Sequence, residues 1–354
     1  MKKIGVFLCS FLLVVVLSAC GDSDNKGKGK GKGEDALEIT VEGASYILSG
    51  EDDGEAIGEE AEGGLLLIDL NIKNVSDSSL SIFPDHDIQL YDGDTQMDPS
   101  PARHHQLDLA SDSNSNIGAN KQKQMSVAFD VEKDKEYEIN ISPQPSDYET
   151  ELKDVIVTLD TSEYNDSLAA LQDPGKALMA YIETIYFDED NSDYEKYVSA
   201  DKSSLQDDAL TEFKDSLERT VTSDVSEGDT EKYYESFKQA SAEKDEIEVE
   251  VKGNANGKAI VNLNYKALSF DDIIKKMRDN KEKYRDNNDG FDPEKEDEYA
   301  LSKFDKVLDG IEAKKGRTEL EVLMKEEDGK WIIDDSDINM SERIMRIFAE
   351  GVGM

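Results

Sequence analysis

The sequence predicts two folded domains, an all-β antiparallel sandwich followed by an α+β domain with helices packed on an antiparallel sheet. Three observations lead there. Through residues 36–160 apolar residues recur at every second position, with turn-forming clusters between the runs. From Asp173 onward the apolar spacing becomes that of amphipathic helices. From Ile247 the period returns to two, and Asp328-Gly329 is a strong hairpin signal. A chain of 354 residues is long enough for two such cores.

Residues 1–19 precede both domains and read as an export signal. Lys2 and Lys3 are followed by an apolar run from Ile4 to Val16. That run is shorter than the roughly 20 residues a membrane-spanning helix needs and fits the apolar region of a signal peptide. Leu17-Ser18-Ala19-Cys20 then resembles a bacterial lipobox. The resemblance implies a diacylglyceryl group on the Cys20 thiol, cleavage before it, and membrane lipid as the first partner. Cys9 would leave with the signal, so no intrachain disulfide is expected and the domains must hold by packing. Two acyl chains suffice for stable anchoring. Residues 20–35 are the lipidated cysteine and a tether in which Lys26, Lys28, Lys30 and Lys32 alternate with glycine. It reads as a spacer; the other reading is a basic segment that hugs anionic lipid.

The chain carries 81 acidic residues against 40 basic ones, a formal net charge of −41. Such a surface repels nucleic acid, so no nucleic-acid partner is expected. It suits cations, basic peptides or basic proteins. Solubility in a salty or alkaline medium is the alternative explanation.

In the first domain, residues 36–160, the alternating runs are Leu37–Val41, Leu66–Ile72, Ile88–Leu90, Met125–Val131, Tyr137–Ile141 and Val155–Leu159. About seven short strands without a helical stretch make a sandwich. Asn74-Val75-Ser76-Asp77 closes one strand, and Val127-Ala128-Phe129-Asp130-Val131 forms a later one. These motifs resemble the telokin-like, immunoglobulin-like domain of Gram-positive lipoproteins. The resemblance implies an immunoglobulin-like sandwich and says little about activity. All three histidines lie here. His86, with Asp85 and Asp87, and the His104-His105 pair were weighed as metal ligands. Neighbours on a strand point to opposite faces, no cysteine supports them, and no metal site is expected.

Residues 161–173 read as a linker, and residues 174–354 as the second domain. Pro174 sits at a helix start, and Ala177, Leu178, Tyr181, Ile182, Ile185 and Tyr186 form one apolar face. Leu210, Phe213 and Leu217 mark a second helix, and residues 229–241 a third. Strands follow at Ile247–Val251, Ile260–Leu268, Thr318–Lys325 and Lys330–Asp334. A charged helical pair at about 269–315 interrupts them, with Ser269 and Asp272 spaced as a capping box, and a short last helix carries Ile344, Ile347 and Phe348. The helix-then-strand order ending in Gly329-Lys330-Trp331-Ile332-Ile333-Asp334 resembles the cystatin-like and nuclear-transport-factor-2-like cone fold. That resemblance implies a pocket between sheet and helices, with the helical pair as a lid or a reach toward a partner.

No catalytic signature accompanies this architecture. No histidine follows His105, which removes the commonest general base from the second domain. Tyr181, Tyr186 and Trp331 read as core. Arg285–Glu296 has the length of a calcium loop, but Arg285 stands where an acid is required and Pro293 occupies the ninth position. It reads as a solvated acidic turn, as does Asp188–Glu195. The expected function is therefore a lipid-anchored binding or adaptor module on the extracytoplasmic face of the membrane. Its partner is an envelope protein or a basic peptide, and no catalysis, catalytic residue or cofactor is expected. The alternatives are a small-ligand carrier using a cavity in the second domain and an enzyme relying on Asp and Tyr. The resemblances point to a Gram-positive source; Asp22 would also suit inner-membrane retention in a Gram-negative cell.

Overall fold

The computed structural model describes residues 36–50, 62–110, 115–146, 150–187, 189–222, 224–288 and 291–351. The signal segment, Cys20 and the Lys-Gly tether lie outside them. The first domain contains strands β1 (Leu37–Ser49), β2 (Gly63–Asn74), β3 (Leu80–Ser81), β4 (Ile88–Asp92), β5 (Thr95–Met97), β6 (Asn116–Ile117), β7 (Gln122–Glu132), β8 (Glu136–Ile141), β9 (Gln144–Pro145) and β10 (Val155–Asp160). A one-turn helix, α1 (Pro84–Asp87), and a 3-10 turn at His105–Leu107 interrupt them. The second domain follows as α2 (Asn165–Ala169), α3 (Asp173–Tyr186), α4 (Asp193–Tyr197), α5 (Lys202–Glu218) and α6 (Glu227–Lys244). Then come β11 (Glu246–Ala255), β12 (Lys258–Ala267), α7 (Phe270–Asp286), α8 (Pro293–Leu301), α9 (Phe304–Asp309), β13 (Lys314–Lys315), β14 (Leu320–Glu327), β15 (Lys330–Ile333) and α10 (Met340–Phe348).

The period-two runs form the sandwich as their patterning requires. Leu66, Ile68, Leu70 and Ile72 of β2 are fully buried at alternate positions. They face Ile88 and Leu90 of β4 and Ile139 and Ile141 of β8 in one apolar core. One layer is the sheet β1-β2-β7 and the other is β10-β8-β4-β5, with β6-β3-β9 closing one end. Asn74 is wholly buried. Its Nδ2 donates to the carbonyls of Ser78, Ile117 and Gly118, and its Oδ1 accepts from the Ser76 N–H and hydroxyl. A residue with two donors and two acceptor lone pairs is thus saturated at the turn, which explains why asparagine stands there.

In the second domain, β11, β12, β14 and β15 form the antiparallel sheet. Both of its hairpins use two residues with positive φ, Asn256-Gly257 (54°, 71°) and Asp328-Gly329 (54°, 78°), the pairing tight two-residue turns demand. The helices cover one face. Phe213, fully buried on α5, meets the rings of Tyr234, Phe237, Phe270 and Phe304 at centroid distances of 5.0, 5.4, 5.9 and 6.3 Å.

The helical insertion belongs to this core. Phe270, Ile273 and Met277 of α7 and Phe304 of α9 are buried in it. Two residue pairs fasten α7 to α8. Arg285 binds Glu296 through Nε (3.0 Å) and Nη2 (2.6 Å), and Lys281 binds Asp297, which also accepts from the Thr222 N–H at 2.7 Å. Within this segment residues 285–288, 291, 294 and 295 are exposed, as a solvated acidic turn requires, and Glu296 departs from it. The Glu296 carboxylate is buried and paired with Arg285. The Ser269–Asp272 capping box does not form either: Ser269 makes no side-chain cap. Its flanks are used instead, with the Phe270 N–H donating to the Gly351 carbonyl and the Leu268 N–H to Asp245 Oδ1.

Burial pushes the Asp245 carboxyl up to about 8, against the Leu268 N–H and the Ser241 hydroxyl, which favour its charged form. The folded protein thus keeps a proton that the unfolded chain releases near pH 4. Stability from this group is complete below that pH and is lost as pH rises through about 8. Asp245→Asn is expected to change stability little at pH 4 and to raise it by about 5 kcal/mol at pH 9. Urea unfolding at the two pH values measures this; an equal effect at both would contradict it.

The two domains share one sheet. Leu48 and Ser49 at the end of β1 pair with Asn254 and Gly253 of β11, giving an eight-stranded sheet in the order β15-β14-β12-β11-β1-β2-β7, with β13 beside β12. A separate apolar cluster seals the junction, joining Ile47, Leu67, Leu107 and Ala128 of the first domain to Ala255 and Ile260 of the second. Residues 161–173, expected as a linker, are packed: Leu168 and Leu171 lie in the sandwich core.

Candidate functional site

The junction leaves a cleft of 410 Å³ on one side of the shared sheet. Its first wall comes from β1 and α2, where the Tyr46 N–H donates to Ser167 Oγ at 2.9 Å. Its floor is the β11–β12 turn. Asn254 Nδ2 donates to the Leu171 carbonyl at 3.0 Å and Asn256 Nδ2 to the Leu107 carbonyl at 2.9 Å, so both amides also hold the two domains together. Lys258 adds an ion pair to Asp108 at 2.7 Å. The far wall is the β14–β15 hairpin with Glu326 and Trp331, and α4 closes the side with Lys196 and Tyr197.

The charges in this cleft are ordered. Asp173 pairs with Lys176 at 3.1 Å. Lys196 Nζ donates to the Tyr197 hydroxyl at 2.5 Å and lies 4.3 Å from the centre of the same ring. That hydroxyl first, with Asp173 and Asp193 nearby, holds the Lys196 ammonium above its ordinary pKa. Lys176 stands 5.6 Å from the Tyr197 ring centre, so both lysines use that ring.

The cone-like interior of the second domain is filled. Tyr186 is buried and forms edge and stacked contacts with Tyr181 and Phe348. A slot of 90 Å³ lies between Tyr181, Leu205, Met324 and Trp331, and a more open one of 290 Å³ lies between α3 and β11 at Gly175, Met179, Val249 and Val251. Tyr186 is thus core, as expected, whereas Tyr181 and Trp331 are buried and still line cavities.

His86 is exposed on α1. The His104 and His105 rings do stack, 5.6 Å apart and 9° from parallel. The opposite-faces rule fails for them because His105 opens a 3-10 turn instead of continuing a strand. Among the described residues no three His, Cys, Asp or Glu side chains gather as metal ligands. In the segment 188–195, Asn191 caps Asp193 and binds Glu183.

Comparison with known proteins agrees with this architecture. Residues 164–349 match the profile of the Domain of unknown function (DUF5105), which covers over half of the chain. The chain belongs to the DUF5105 family. Ahead of its DUF5105 domain, residues 27–151 match a second Domain of unknown function (DUF4352). An "Uncharacterized lipoprotein YcdA" from Bacillus subtilis is 24% identical, with 99% of each chain covered. A crystal structure of the ycdA lipoprotein from Bacillus subtilis superposes with a TM-score of 0.66 at 23% identity. It covers 91% of this chain and 98% of that one, which establishes the shared fold. The protein is a lipoprotein of unknown function, of the kind found in Gram-positive bacteria, with a β domain followed by an α+β domain. No helix among the described residues is long and apolar enough to cross a membrane.

Proposed function

We propose that this lipoprotein is a binding or adaptor module, without catalysis, that holds an envelope protein or a basic peptide in the cleft between its two domains. The observation that carries the reading is the contrast in room. The cleft offers 410 Å³ with polar and aromatic walls, against 290 Å³ beside α3 and 90 Å³ beneath Tyr181 in the second domain. Ligand sites commonly occupy about 300–1,000 Å³ and favour domain interfaces. The strong negative charge of the body draws basic partners toward that cleft. Placement also favours it. Nine residues of β1 separate Ala36, where the tether joins, from Ser45 in the cleft wall, a span of roughly 30 Å. Cys20 lipidation would then leave the cleft clear of the anchor point.

The test is cross-linking in intact cells with tagged full-length protein, beside the variant Ala170→Trp, whose indole would fill the cleft from α2. The expected result is a reproducible partner that the variant loses. Equal recovery by the variant would remove the cleft from the reading. No partner above an unrelated-lipoprotein control would overturn the adaptor reading and favour a small-ligand carrier.

A further inference from the structure

We infer that the cleft takes the carboxyl-terminal end of a short basic peptide, with Lys196 holding the terminal carboxylate; this rests on the binding reading above. In a chain with twice as many acids as bases, most lysines near the cleft are committed. Lys176 is taken by Asp173, and Lys258 by Asp108. Lys196 differs. Among the described residues its hydrogen-bond partner is the neutral Tyr197 hydroxyl, and no carboxylate lies within ion-pair distance. An ammonium has three N–H donors. One is spent on Tyr197, which together with the ring fixes where the cation stands. Two remain for a charge-assisted pair with an incoming carboxylate.

The cleft also offers acceptors. Glu326 has no ammonium within ion-pair distance among the described residues, and it stands beside the β11–β12 turn, 3.9 Å from where a Cβ on Gly257 would lie. Asn254 and Asn256 spend their Nδ2 groups on backbone carbonyls, which leaves each Oδ1 to accept. A donor and several acceptors around one cleft match a peptide end, whose carboxylate accepts and whose N–H groups and basic side chains donate. A purely anionic ligand would be repelled by the body, so the rest of the peptide must carry positive charge.

The experiment uses the lipid-free chain from residue 21 and a library of tripeptides beginning with lysine, in two forms, free and amidated at the carboxyl terminus, with binding read by calorimetry. For peptides that bind, amidation is expected to weaken wild type about tenfold, the loss of one charge-assisted pair. Lys196→Gln should bind free peptides about tenfold more weakly and no longer distinguish the two forms. Lys196 is exposed, so the variant should fold, and circular dichroism checks that. Glu326→Gln should weaken both forms equally. Tripeptides that bind without regard to amidation or to Lys196→Gln would overturn this inference and leave the binding reading standing. Free lysine binding as tightly as the tripeptides would overturn the peptide assignment. Binding by no member of either library would overturn this inference and leave the envelope-protein reading to the cross-linking result.

Discussion

Phe213→Ala is expected to cost about 3–5 kcal/mol, the range for removing a fully buried aromatic side chain. Phe213 is the hub of the second domain. Its ring touches four others, from α6, α7 and α9, so truncation removes aromatic contacts as well as buried area. None of those neighbours can refill the space alone, because each is pinned by its own helix. The variant should therefore hold a dry apolar cavity and bind benzene, as engineered cavities of this kind do. Urea unfolding gives the first quantity, and the rise in melting temperature with benzene the second. The experiment also bears on function. A loss below about 1 kcal/mol would mean that the interior is not close-packed, and a small-ligand carrier using that interior would regain its place.

The second large effect is expected at the seam. Leu107 is fully buried where the domains meet, and its carbonyl receives Asn256. Leu107→Ala should cost about 2–5 kcal/mol and, because that contact couples the domains, should split one unfolding transition into two. Gly253 makes the assignment sharper. A Cβ placed there would lie 2.7 Å from Leu107 Cδ1, so Gly253→Ala alone should destabilise by about 1–3 kcal/mol through crowding. With Leu107 already cut back, the same methyl has room. The double variant should therefore be more stable than the sum of the singles by about 1 kcal/mol, and a double-mutant cycle reads that coupling. Additive costs would show that Leu107 does not sit on Gly253 in solution. A single unchanged transition in Leu107→Ala would show that the remaining seam contacts suffice to join the domains.

Local chemistry explains which elements were legible in advance. Asp328-Gly329 marked a hairpin turn, since few residue pairs tolerate two positive φ values in succession. The alternating runs of β2, β7 and β8 and the apolar faces of α3 and α5 follow from which side of each element must leave water. The misreadings were of another kind. Ser269 has the right spacing for a capping box, yet burial gave its neighbours other partners. Glu296 looked like a solvated acid because Arg285, eleven residues away, becomes its partner only when α7 and α8 fold back on each other. Nothing in the sequence joined Tyr46, Lys196, Asn254 and Glu326, which come from four distant stretches and meet only at the cleft.

The sequence by itself determined the acidic balance and the order of a β domain before an α+β domain. Each depends on composition or on a period within one segment. Only the tertiary structure decided that the two domains share a sheet, that aromatic rings pack the core of the second, and that a cleft of 410 Å³ opens at their junction. Those outcomes depend on which side chains meet across hundreds of residues and on how volumes fit. Spacing along a chain does not encode volume, so a hollow cone and a packed one can share the same hydrophobic pattern.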